Sequence, residues 1–170
     1  INLFNFMDGI DGLAGSETIA VALGYLLAAT VAGLDGPLGQ LALIVAATAT
    51  GYLAWNWHPA KVFMGDSGSL PLGGLMAWMA VVSKQELVLP LIAIVFVLDL
   101  LSSLLQTQVY VLTGRGKRIF TLAPIHHGLE RHGGIFNKGG ERWHEVTVVV
   151  RFWILAAIGA MASLALLKIR

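Results

Sequence analysis

The stretch SETIAVALGYLLAATVAGLDGPLGQLALIVAATATGYLAW, Ser16–Trp55, decides the fold. Two apolar runs, Ser16–Ala32 and Leu38–Trp55, flank Gly33-Leu34-Asp35-Gly36-Pro37, where glycines supply positive φ and the proline can open a new helix. A bilayer core about 30 Å thick takes roughly 20 apolar residues of helix, so the two runs read as a transmembrane hairpin. Three further segments extend the pattern: Ser69–Ser83, Leu87–Leu112 and Val146–Leu167. The first of these is short for a span at about 1.5 Å per residue. Gly73 and Gly74 soften it further, and the expectation is that it tilts, thins the bilayer or enters partway.

Composition agrees. The 170 residues are 56% hydrophobic and 12% charged, half the roughly 25% charge of a globular chain, and the mean hydropathy is +0.76. The expected class is all-α: a polytopic integral membrane bundle of about five helices, with residues 1–170 forming a single membrane domain. A net charge of +1 leaves no electrostatic footprint for nucleic acid. The absence of cysteine excludes a disulfide framework, thiol catalysis and cysteine-ligated metals. The sequence begins at Ile1 with no charged leader, and this start reads as internal to something longer.

If all five segments cross, the strips 1–15, 56–68 and 113–145 share one face. Those strips and Arg151 hold Lys61, Arg115, Lys117, Arg118, Arg131, Lys138, Arg142 and Arg151, eight of the eleven Lys and Arg residues. The positive-inside rule places that face in the cytoplasm, although Lys168 and Arg170 point the other way. Nearly every chemically capable residue falls on the same face.

On it, Asn2, Asn5, Asp8 and Asp11 recur at intervals of three, a spacing that aligns them on one side of a helical turn. Gly9 and Gly12 let a ligand approach the backbone, and the carboxylates suit ribose hydroxyls, a uracil imide or a hard cation. A helix cap and a solvated turn explain the same string equally well. In Pro59–Ser69, Lys61, Phe63 and Asp66 precede a helix start. Asp66 there is either a cap or a ligand for a divalent cation, with Lys61 near phosphate and Phe63 stacked on a base. His126 and His127 follow Pro124 without the i,i+4 spacing of a zinc pair, and suit phosphate binding or proton transfer better. His58, His132 and His144 read as surface residues, and Trp55, Trp57, Trp143 and Trp153 as an interfacial belt. Asp99, a carboxylate inside an apolar helix, shares a face with Gln106 and reads either as a structural hydrogen-bonding group or as part of the site.

Four motifs in order resemble the polyprenyl-phosphate phospho-hexosamine transferase superfamily: Asn5-x-x-Asp8-Gly9-Ile10-Asp11-Gly12, Pro59–Ser69, Lys117-Arg118-Ile119-Phe120-x-x-Ala123-Pro124-Ile125-His126-His127, and Val150–Ile154. The nearest branch is that of the phospho-N-acetylmuramoyl-pentapeptide transferases. The resemblance implies a fold of about ten transmembrane helices, of which this chain would be the C-terminal half; the family's upstream Asp-Asp pair has no counterpart here. It further implies Mg2+ on Asp66, uracil stacked on Phe63, and Asp11 with Gly9 and its glycine neighbours at the uracil edge. Asn5 and Asp8 would lie toward the ribose and phosphate, Lys61 near phosphate, and His126 and His127 beside the phosphates and sugar. Asp66, Asp8, His126 and His127 form the expected catalytic set. The implied reaction joins undecaprenyl phosphate, a membrane lipid, to the phospho-sugar of UDP-MurNAc-pentapeptide, releasing UMP and giving lipid I at the cytoplasmic face of a bacterial inner membrane. A homodimer stays open.

Two departures bear on the branch. Gly128 stands where the translocases carry a third histidine, and Phe6-Met7-Asp8 is closer to enzymes that transfer N-acetylhexosamine 1-phosphate for O-antigen or teichoic acid. A UDP-N-acetylhexosamine donor is therefore the alternative, and a non-catalytic membrane subunit or transporter is the second.

Overall fold

The computed structural model describes residues 1–33, 36–114, 116–136 and 140–169. Leu34 and Asp35 of the hairpin turn, and Arg115, Lys138 and Arg170 of the charge asymmetry, lie outside the described residues. Eight helices follow in order: α1 Asn2–Met7, α2 Leu13–Val31, α3 Pro37–Asn56, α4 Gly65–Val82, α5 Leu89–Ile92, α6 Ile94–Leu112, α7 Ile125–His132 and α8 Glu145–Ile169. No strand occurs among the described residues. The chain is an all-α membrane bundle, with α2, α3, α6 and α8 long and apolar enough to cross a bilayer.

The bundle is organised around α2, which packs on α3, α5 and α8. Its central place follows from its side chains. Ala14, Gly15, Ala22, Ala28 and Ala29 are buried, as are Gly39, Ala42, Ala46 and Ala49 at helical spacing on α3. Small residues let two backbones approach where lipid supplies no hydrophobic drive. Gly24 shows how tightly: a Cβ there would sit 2.7 Å from Ile92 Cγ2 of α5. Outward-facing apolar residues such as Ile44, Leu104, Ile158 and Met161 remain exposed, as a lipid-facing surface requires.

Three sequence expectations change. The segment expected at Ser69–Ser83 begins at Gly65, so Asp66 lies within the first turn of α4 rather than in the loop before it. This 18-residue helix contains Pro71 and is not among the four long apolar spans. The single span expected at Leu87–Leu112 is broken at Ala93 into α5 and α6. Gly159 of α8 packs directly on the Leu91 carbonyl of α5, so a helix without a side chain at that point covers the segment next to the break. Finally, α1 ends at Met7, so Asn5, Asp8 and Asp11 do not share one helical face. The chain turns through 8–12, and Asp8 and Asp11 leave in different directions.

Strips 1–15, 56–68 and 113–145 do meet at one end of the bundle. Asp8 touches Gly65, Asp11 touches Ala60 and Glu145, and Gly9 faces His126 and His127. Far from that end, the Tyr25 hydroxyl donates to the Met79 carbonyl at 2.7 Å, fixing the last turns of α4 against α2.

Candidate active site

The end of α1 is the pivot of the site. Asp8 is the C-terminal cap residue of α1, and its Oδ2 accepts the Gly65 N–H at 2.8 Å. Gly65 has φ 55°, a conformation glycine adopts without strain, and it delivers Asp66 onto the first turn of α4 beside Asp8. Burial pushes the Asp8 carboxyl above its ordinary range; the N–H groups of Gly65 and Met64 pull it back, and the negative charge of Asp66 adds to the rise. Asp66 itself is exposed, as are Lys61 and Phe63 on the preceding strip. Phe63 is 54% exposed, an unpacked aromatic face beside two carboxylates. Lys61 lies 5.8 Å from the Trp55 ring centroid. Asn5 is exposed, and its Oδ1 accepts the Ser69 hydroxyl at 3.5 Å.

One residue further on, Gly9 meets the histidines. A Cβ at Gly9 would lie 3.0 Å from His127 Nε2 and 3.6 Å from His126 Nε2, so glycine lets the His127 ring in particular pack tightly on the backbone. The rings lie 4.3 Å apart, tilted by 54°. Adjacent histidines on a helix point about 100° apart, yet both rings reach Gly9. They do so because they occupy the first turn of α7, where the chain has just left the extended Pro124. His127 Nδ1 lies 3.2 Å from Glu130 Oε2. Burial and the neighbouring His126 hold the His127 imidazole below its ordinary pKa, with Glu130 opposing.

Asp11 belongs to a second cluster. Its Oδ2 accepts the Ala60 N–H at 2.9 Å and lies 3.0 Å from His58 Nδ1, while its own N–H donates to Glu145 Oε2 at 3.2 Å. His58 Nδ1 is also 3.8 Å from Glu145, and its ring packs edge-on to His144 with centroids 4.7 Å apart. The reading of His58 and His144 as isolated surface residues is thus corrected: His58 ties the 56–68 strip to Asp11 and to the start of α8. Nearby, Asn56 accepts the Gly12 N–H with its Oδ1 and donates through Nδ2 to the Val62 carbonyl, pinning the same strip. Trp57 packs against Trp153 with centroids 5.9 Å apart, and Arg151 lies 3.8 Å from the Trp143 ring centroid. These rings serve in packing as well as at the interface.

Asp99 and Gln106 both reach from α6 into the polar strip. The Gln106 side chain accepts the N–H groups of Ile119 and Phe120 and donates to the Phe120 carbonyl. Asp99 engages His126 by side chain and backbone. Asp99 carried a signal in the sequence, a lone carboxylate in an apolar run. His58, Glu145 and His144 carried none, since their partners lie 47 and 134 residues away.

Comparison with known proteins returns relatives that carry the name of the branch the motifs resemble. Glycosyl transferase family 4 matches residues 1–84. The chain is 44% identical to a phospho-N-acetylmuramoyl-pentapeptide-transferase of Moorella thermoacetica over 168 residues, 99% of this chain and 49% of that protein. It is 40% identical to the enzyme of that name from Nitratiruptor over 99% of the chain and 49% of the relative. For Cutibacterium acnes the figures are 39%, 96% and 48%. The resemblance therefore runs over nearly all of the chain, which spans about half the length of the curated relatives it matches.

Proposed function

We propose that this chain is the C-terminal half of a phospho-N-acetylmuramoyl-pentapeptide transferase, which moves the phospho-sugar of UDP-MurNAc-pentapeptide onto undecaprenyl phosphate, giving lipid I and UMP. The observation that carries the reading is the convergence of Asp8, Asp66, His126 and His127 around the end of α1, on the polar end of a membrane bundle. Such a location lets a lipid phosphate meet a soluble nucleotide. An oxygen of the lipid phosphate attacks the β-phosphorus of the donor, the bond from that phosphorus to the bridging oxygen breaks, and UMP leaves with the electron pair.

Asp66 and Asp8 supply hard oxygen donors whose charges repel one another, which is the donor set that Mg2+ favours. Bound there, the cation would neutralise charge on the diphosphate. Other groups position the substrate. Phe63 offers its face to uracil, Lys61 its charge to a phosphate, and Asn5 its amide to the ribose region. The Asp11 Oδ2 is engaged by Ala60 and His58, so Asp11 and Gly9 reach the uracil edge through Oδ1 and backbone. His126 and His127 present Nε2 atoms toward Gly9, beside the phosphates. The positive charge of these strips supports a cytoplasmic position for this end, and the reaction implies a bacterial inner membrane.

The test is Mg2+-dependent UMP release by the complete transferase in membranes with undecaprenyl phosphate. Release with UDP-MurNAc-pentapeptide alone is expected. Release with UDP-GlcNAc alone would instead assign the chain to the hexosamine branch.

A further inference from the structure

The first half of α6 holds a buried carboxylate that the reaction described above leaves without a role. Asp99 is 1% exposed and His126 is fully enclosed. Asp99 Oδ2 lies 2.5 Å from His126 Nδ1, and Oδ1 accepts the His126 backbone N–H at 3.4 Å. One carboxylate thus grips both the backbone and the ring of one residue, fixing where α7 starts and how the imidazole is rotated. The other ring nitrogen is different: His126 Nε2 is buried with no hydrogen-bond partner among the described residues, and it points at the Gly9 backbone. Buried polar atoms in folded proteins are nearly always paired, so Nε2 calls for a partner from outside these residues, a water or a ligand.

We propose that Asp99 is a positioning residue that keeps the His126 ring protonated on Nδ1 and presents Nε2 to a phosphoryl oxygen at the Asp8–Gly9 edge of the site. The inference rests on the phosphoryl-transfer reading. An ionised carboxylate only accepts hydrogen bonds, so Nδ1 donates to it and the lone pair of the neutral ring is left on Nε2. There it accepts a proton from a protonated phosphate oxygen; once protonated, it donates to the phosphate through the same atom. The carboxylate stabilises the imidazolium formed in between, as an aspartate does beside a catalytic histidine in hydrolases. Glu17 of α2, also buried, is within Coulombic reach of Asp99 and is the other acid facing this pair.

The test uses Asp99→Asn in the complete transferase. The amide keeps the shape but can donate to Nδ1, which reverses the tautomer. UMP release should fall by about 10²-fold or more in kcat, with the KM for UDP-MurNAc-pentapeptide changed less than about threefold. Asp99→Glu should restore part of the loss. Imidazole 15N shifts of His126, assigned by their loss in His126→Gln, should show Nδ1 protonated in the native protein and Nε2 protonated in Asp99→Asn. Native turnover in Asp99→Asn, or an equal loss in Asp99→Asn without a change of tautomer, overturns the proposal. Should Asp99→Asn not fold, the native spectrum still decides, because a ring protonated on Nε2 contradicts it. A native transferase that releases no UMP refutes the phosphoryl-transfer reading instead, and the spectrum then tests the Asp99–His126 pair by itself.

Discussion

Two acidic clusters are anchored three residues apart on the first strip, at Asp8 and at Asp11, and they are built to opposite ends. At Asp8 and Asp66 one carboxyl is raised by burial and the other is exposed, with only backbone N–H groups to offset their repulsion. At Asp11 and Glu145 each carboxylate is already engaged, by His58 and by backbone N–H groups of residues far away in sequence. The first arrangement leaves a repulsion that a bound cation would relieve; the second ties three strips together. Asp8 and Asp66 are thus left open for chemistry, whereas Asp11 uses its Oδ2 for architecture and keeps its Oδ1 for the proposed substrate contact.

The largest effect should come from the unfinished pair. Asp8→Asn in the complete transferase should lower kcat for UMP release by about 10²-fold or more. The thermal midpoint in detergent should hold or rise, because removing a buried charge relieves repulsion; a lowered midpoint with unchanged kcat would reverse the division between the clusters. Next in size, Asp11→Ala leaves the Ala60 N–H and His58 without their acceptor. Because both side chains are partly exposed, the expected loss is about 1–2 kcal/mol of stability, read as a thermal midpoint lower by a few degrees. Turnover that collapses in Asp11→Ala while the midpoint stays put would show Asp11 to be a substrate contact with no architectural part.

The smallest effect concerns His127. Its folded pKa lies below the ordinary 6.5, so at neutral pH the ring is neutral in folded and unfolded chains alike. As pH falls below about 6.5 the unfolded chain takes the proton first, and stability is lost down through the folded value. Nuclear magnetic resonance titration should find His127 titrating below 6.5, and Glu130→Gln should lower it further, since Glu130 is the group that raises it. A value at or above 6.5 contradicts the enclosed placement against Gly9.

The apolar bundle was legible because hydrophobic length acts locally. The grouping of the candidate residues was partly legible for the same reason: Asp8, Asp66, His126 and His127 sit in short motifs that the fold brings to the end of α1. What was hidden depended on distant partners. Nothing around His58 announces Asp11, and nothing around Glu145 announces an N–H 134 residues away. The break at Ala93 was equally invisible, because Leu87–Leu112 is continuously apolar and the neighbour packed beside the break is Gly159 on another helix. Spacing alone also misled at Asn5, Asp8 and Asp11, where an interval of three implied a helix that ends at Met7.

The central claim is that the open carboxylate pair, and not the saturated one, is the working centre. It is tested most directly by measuring UMP release against Mg2+ concentration for the complete transferase carrying Asp66→Asn, with membrane insertion checked in parallel. The account predicts normal insertion and turnover reduced by about 10³-fold or more, not restored by excess Mg2+. Turnover near the native level at ordinary Mg2+ would contradict it.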